Sequence, residues 1–362
     1  MGQGRPEVTP LSSKADWERV KLQMILDKLA AGTKKSYSLG WRWWKLFCRV
    51  RGVSPLRHVT PYNAQREEEL FLEFVAHLAI HSRKAVGTIK QHLSAVRAQH
   101  VALGYPDPTA PLVRLWMAID GLRRRQGGPR RKHAVTKQML AWIRKGLRPS
   151  EDRDDAMLWA ATMLAFFFLL RISEYAANDQ SGKDVGKGVR GVDLQGKLRG
   201  EVVGRLEEAD ELVLRIRGSK TDQLNRGEWR NHFRRGEHAN DGALCVVEAM
   251  ACYEKHAPER FRGSEKCSPL FAWASGRLLT KGDMKALLER AAVAAGVHPD
   301  SIGTHSLRIG GASALWAAYK DSALVQRWGR WTSNAFHAYL WDAREAAKGV
   351  SDRMVAADLT PV

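Results

Sequence analysis

Four short segments carry side chains able to hold and activate an anion. The first, Leu169-Leu170-Arg171-Ile172-Ser173-Glu174, closes the most apolar stretch of the chain, Leu158 to Leu170. A guanidinium placed there carries a large desolvation cost unless it is paired. Glu174, three residues on, is a suitable partner and leaves the rest of the Arg171 fork to an anion. The second, Gly218-Ser219-Lys220-Thr221-Asp222, follows the best strand pattern and sets Lys220 at a hairpin tip. In the third, Thr304-His305-Ser306-Leu307-Arg308-Ile309-Gly310-Gly311, Thr304 fits a helix N-cap. His305 and Arg308 then share one helical face near the positive end of the helix dipole, a surface that suits a phosphate and disfavours protonated His305. Gly310 and Gly311 are poor helix residues and imply close packing against another backbone. The fourth, Gly329 to Leu340, holds Trp331, whose indole N–H either donates to an oxygen or packs, and Tyr339. Taken singly, each segment has an ordinary structural reading: an Arg–Glu pair, an exposed lysine, unrelated surface residues, a packed tyrosine.

These residues need a large folded frame, and the chain supplies one. Its 362 residues, 44% of them hydrophobic, suffice for two domains with buried cores. Lys and Arg number 58 against 39 Asp and Glu, a net charge of +19. An excess of that size makes nucleic acid the default partner. The four cysteines, Cys48, Cys245, Cys252 and Cys267, are scattered, with no zinc spacing, and read as reduced thiols of an intracellular protein. Met1 to Ser13 lacks the apolar run of a signal peptide. Leu158 to Leu170 is too short to span a bilayer and reads as a buried helix, so no membrane is expected.

The expected architecture is mostly α, with an α+β second domain. Apolar residues recur at helical spacing in Val20–Leu29, Tyr37–Val50, Leu70–Ile80, Ile89–Leu103 and Val113–Leu122, separated by Gly and Pro breakers. This predicts a helical domain over 14–125, with Trp41 and Trp44 as core. The stretch Arg123 to His133 is broken by Gly127, Gly128 and Pro129 and packed with cations. Residues 126–134 therefore read as a basic linker, either a solvated tether or nuclear-import signal, or a strap across a DNA backbone. Helices are expected at Thr136–Lys145, Asp155–Ala177, Ala243–His256, Thr280–Ala295, His305–Tyr319 and Ser322–Gly329. Leu212–Arg217 alternates as a strand and pairs with Trp229–Phe233; the glycine-rich Gly182–Gly204 defines the first strand poorly. A small antiparallel sheet flanked by helices fills 135–345, and 346–362 forms a tail.

In this order, the segments resemble the tyrosine recombinase (phage integrase) family, over both domains from about Lys14 to Tyr339. Arg171 resembles the family's first catalytic box, Lys220 its strand-turn lysine, and His305 to Arg308 its second box. Trp331 stands where the family has histidine or tryptophan, and Tyr339 takes the nucleophile's place. The interval from Trp331 to Tyr339 is similar to that of eukaryotic mobile-element recombinases. The helical first half is similar to the SAM-like core-binding domain that clamps DNA. Thr33 to Tyr37 and Thr88 to Arg97 look like its helix starts, and the DNA-binding candidates are Lys34, Lys35, Lys90, Arg97, Arg123, Arg124, Arg130, Arg131 and Lys132.

The resemblance implies cleavage and rejoining of double-stranded DNA through a covalent 3′-phosphotyrosine, with no metal, cofactor or ATP. The physical logic agrees: charge on the non-bridging oxygens must be neutralised as it builds, and two arginines do so bidentately. A tyrosine of pKa about 10 needs a cationic site to attack as phenolate. Lys220 is the expected general acid for the 5′-oxygen, with His305 as base or phosphate donor. No acidic cluster at metal-binding spacing stands near these motifs. Family analogy further implies a homotetramer on paired DNA sites, the tail packing in trans or on its own domain. Localisation follows the host: nucleus in a eukaryote, otherwise cytoplasm. Two other readings stay open, a type IB topoisomerase-like enzyme and a transposon-derived DNA-binding protein that does not cut.

Overall fold

A computed structural model describes residues 13–128, 131–177, 188–218, 227–236 and 244–340. The chain divides into two units, Met1–Pro129 and Arg130–Val362. In the first, the described residues form α1 (Lys14–Asp27), α2 (Ala31–Val50), α3 (Ala64–Ala76), α4 (Val86–Ala102) and α5 (Val113–Gln126). A π-helical turn, His77–His81, continues α3. The apolar stripes of α2 to α5 meet in one core. At its centre Trp44 is fully buried, stacks on Phe71 at 4.6 Å, and donates its indole N–H to the Pro55 carbonyl at 2.8 Å. Trp41 is half-buried and meets His100 edge-on at 5.9 Å. A Cβ on Gly40 would stand 2.8 Å from that of Ala95, so glycine there sets how closely α2 approaches α4. The α5 helix includes Arg123, Arg124 and Arg125, which sit in its last turn where the dipole favours cations. The helix runs past the expected Leu122 and breaks at Gly127, φ 71°, the first of the expected breakers.

In the second unit α6 (Lys137–Gly146), α7 (Arg153–Phe167), α8 (Val246–His256), α9 (Pro258–Phe261), α10 (Lys281–Ala294), α11 (Ser306–Tyr319) and α12 (Ser322–Gly329) surround a sheet. Its strands are β1 (Leu194–Leu198), β2 (Glu201–Val202), β3 (Glu211–Ile216) and β4 (Glu228–Phe233), antiparallel in the order β2-β1-β3-β4. Alternation buries Leu212, Leu214 and Ile216, and β3 pairs with β4 as its pattern predicted. The α7 helix is buried on every side from Ala156 to Ala165, which accounts for the apolar run.

Two local expectations are corrected. Asp155–Ala177 is not one helix: Asp152 caps the start by accepting from the Asp155 N–H at 2.9 Å, and α7 ends at Phe167. Leu169 then adopts φ 51°, and the Leu170 N–H returns to the Ala165 carbonyl at 3.0 Å, the long bond of a Schellman-type end. Nor does Thr304 cap α11. His305 holds that position without a side-chain cap bond, and the Ser306 hydroxyl accepts from the Gly303 N–H at 3.0 Å. The described residues of the expected linker divide between the units: Gln126 ends α5 and bonds Val86 and Lys84 in the first, while residues 131–134 belong to the second. His133 N–H donates to Ser301 O at 2.7 Å, and Val135 N–H to Ser306 O at 3.0 Å. Among the described residues, no helix is long and apolar enough to cross a membrane.

Candidate active site

The ends of α7 and α12 and the start of α11 converge on one polar cluster. Past Leu169 the chain is extended at Arg171 and turns through the 3-10 segment Ile172–Glu174. That turn folds Glu174 back: its Oε2 accepts from the Arg171 N–H at 2.9 Å and its Oε1 from Arg171 Nη1 at 3.0 Å. The Arg171 side chain keeps 19% exposure while the Glu174 side chain has 1%. The Arg171–Glu174 pairing is thus present, with the carboxylate buried and the arginine partly exposed.

Arg308 lies in the first turn of α11. Gly310 and Gly311 let that turn press against other backbone, since a Cβ on either would collide with the carbonyl of Val135 or Phe166 respectively. The expectation drawn from the paired glycines holds. Arg308 is fully buried and donates to the carbonyls of Leu169 and Gly329. The Trp331 ring lies over it, 4.3 Å from its Cζ, a cation–π contact in a desolvated place. His305, just before α11, is half-buried. Burial, then the Arg308 and Arg171 charges, hold its imidazole down at about 4, partly offset by Glu174. The protonated form is disfavoured, as expected, but by burial and two arginines, which the dipole argument did not invoke.

Sequence reasoning missed Arg330. It follows α12 with φ 58°, is 6% exposed, and bonds Glu174 Oε2 through Nη2 at 2.6 Å. Its guanidinium also reaches the carbonyls of Phe168 and Leu169, both at 3.4 Å. The available signal was a second basic residue beside Trp331, just after the helix-ending Gly329. Beyond Trp331 the 3-10 turn Asn334–Tyr339 is pinned by Phe336, buried at 1% against Leu169, Ala312 and Val325. The Tyr339 backbone closes that turn; its side chain lies outside the description, as do Lys220 and the whole of residues 346–362. The structure thus brings together Arg171, Glu174, His305, Arg308 and Trp331.

The candidates for DNA contact are spread over both units. In the first, Lys34 pairs with Asp27 at 2.6 Å and Arg97 with Asp107 at 2.8 Å, while Lys35, Arg123 and Arg124 are exposed and Lys90 is half-buried. A cleft of about 440 Å³ there is lined by Lys34, Tyr37, Trp41, Arg42 and Lys45 among others, joining cations to aromatic faces. In the second, Lys132 donates to Asp300 O at 2.6 Å and Arg131 to Leu340 O, so both are engaged by their own unit. Arg130 lies outside the described residues.

A helical first unit, followed by helices around a small antiparallel sheet, is the fold of the tyrosine recombinases and integrases. The chain is similar to XerH site-specific recombinase in a post-cleavage complex with a palindromic difH substrate. That match has 15% identity over 95% of this chain and 85% of the other, with a TM-score of 0.55. XerH in a pre-cleavage complex with difH gives 14% identity, 94% and 85% coverage, and a TM-score of 0.53. A lambda integrase dimer bound to a COC′ core site gives 15% identity, 90% and 96% coverage, and a TM-score of 0.52. No family model and no curated protein matches the sequence.

Proposed function

We propose that this chain is a site-specific DNA recombinase that cuts and rejoins duplex DNA through a 3′-phosphotyrosine on Tyr339. The observation that carries the reading is the grouping of Arg171, His305, Arg308 and Trp331 around Glu174, within the fold shared with XerH and lambda integrase. In this reading Arg171 offers its guanidinium to a non-bridging oxygen, and Arg308 supplies buried positive charge behind it. His305, neutral before DNA arrives, donates a hydrogen bond to the phosphate or accepts the phenol proton. The Tyr339 oxygen attacks phosphorus, the bond to the 5′-oxygen breaks, and Lys220 gives that oxygen a proton. Reversal by another 5′-hydroxyl restores the tyrosine, so the linkage energy is conserved and no ATP is needed. The cationic residues of the first unit hold duplex DNA, and two paired sites assemble four protomers.

One observation favours a second reading, a DNA-binding protein that does not cleave: Arg308 is 0% exposed, below Trp331, with its fork already on two carbonyls. A nicked suicide duplex built from repeats flanking the gene separates the two. The recombinase reading expects a covalent protein–DNA adduct that resists denaturant and disappears in Tyr339→Phe while duplex affinity remains. Binding by the unaltered chain without adduct would leave the second reading standing.

A further inference from the structure

Two non-glycine residues in the left-handed region face each other at this site. Leu169, φ 51°, ends α7, and Arg330, φ 58°, ends α12. Left-handed backbone is costly for side chains with a Cβ, and it persists where the surroundings enforce it. Here the enforcement is mutual. The Leu169 carbonyl, turned inward by its own φ, accepts from both Arg308 and Arg330. The Glu174 carboxylate is likewise shared, Oε1 on Arg171 and Oε2 on Arg330. Arg330 therefore touches the anchor of each of the other two guanidiniums. Its side chain is 3% exposed, with Nη2 already held by the Glu174 carboxylate. Burial holds its pKa below the usual guanidinium value, the Glu174 charge acting in the opposite sense; Arg171, Glu228 and Arg230 are the other charges around it.

We propose that Arg330 is a positioning residue, which from the end of α12 fixes the Glu174 carboxylate and the Leu169 carbonyl and so sets Arg171 and Arg308 for a phosphate. The destination of those two guanidiniums rests on the recombinase reading; the positioning does not. Lysine cannot replace this geometry, because its single ammonium cannot span a carboxylate and two carbonyls in the plane of a fork. The contact also joins the helix end carrying Arg171 to the strand of chain that leads into Trp331 and Tyr339.

The test uses the full chain and two readouts. His305 is flanked by Arg171, Arg308 and Glu174, so its imidazole reports where the two guanidiniums stand. In Arg330→Lys, its titration, followed by NMR on histidine-labelled protein and assigned with His305→Gln, moves up by at least half a pH unit. On the suicide duplex, the single-turnover rate of adduct formation falls at least tenfold while duplex Kd stays within twofold. Should Arg330→Lys not fold, Arg330→Gly suits the positive φ. Its adduct rate is then restored in part by added methylguanidine, and its His305 titration moves the same way. An unmoved His305 titration in the folded variant overturns the proposal whatever the activity. A loss of affinity equal to the loss of rate also overturns it, since Arg330 would then be meeting DNA itself. A moved titration in a protein whose unaltered form makes no adduct upholds the positioning role and removes the recombinase reading.

Discussion

At the His305 imidazole, burial and two neighbouring guanidiniums act in the same direction, and the result is a group that titrates at about 4 when folded. In the unfolded chain a histidine titrates near pH 6.5. Between these values the unfolded chain binds the extra proton, so stability rises with pH across the window and is lost on acidification. The separation corresponds to about 3 kcal/mol. His232, packed between Phe168 and Trp328, is pulled down to about 4 by burial and adds a slope of the same sign. Urea unfolding of His305→Gln between pH 4 and 6.5 is expected to show a clearly shallower pH dependence than the unaltered chain, with the His232 share left. An identical slope would place the His305 pKa near its ordinary value and undo the electrostatic account of the site.

Helix ends, more than helix bodies, build this site. The α7 body is apolar on all sides and would serve in any core, yet its Schellman-type end at Leu169 turns one carbonyl toward two arginines. The left-handed leucine costs roughly 1–2 kcal/mol, which those bonds and the burial of its side chain beside Phe336 offset. At α11 the decisive feature is the absence of Cβ atoms at Gly310 and Gly311. Gly311→Ala meets the Phe166 carbonyl, and α11 must shift away from α7, carrying Arg308 with it. A loss of about 1–3 kcal/mol is expected for both Gly310→Ala and Gly311→Ala in denaturant titrations. Gly32→Ala, at a glycine with open space around it, serves as control. Equal stability in all three would reject the close-approach argument.

The whole molecule combines a strong positive charge with two units that have separate cores. The first core is aromatic and helical, centred on Trp44, Phe71 and Phe74; the second is larger and joins α7, α8 and the sheet. Because each unit buries its own apolar surface, calorimetry of the full chain is expected to resolve two heat-absorption transitions. One transition with equal calorimetric and van't Hoff enthalpies would show that the units melt as one.

Much of this was legible in the amino-acid order because it depends on local periodicity and composition. Apolar spacing located the helices of both units except the short α9, strand alternation found β3 and β4, and the Gly310–Gly311 pair announced a close backbone approach. Charge type and spacing singled out Arg171 with Glu174 and His305 with Arg308. What the sequence left open were the features set by distant neighbours. Periodicity ran α7 on to Ala177, because no local signal marks a leucine that turns left-handed only when two arginines take its carbonyl. Nothing local singled Arg330 out from the 58 Lys and Arg residues, and only folding put it on Glu174, 156 residues away. A buried charge is defined by its partners, and partners so far apart in the chain meet only when the tertiary structure closes.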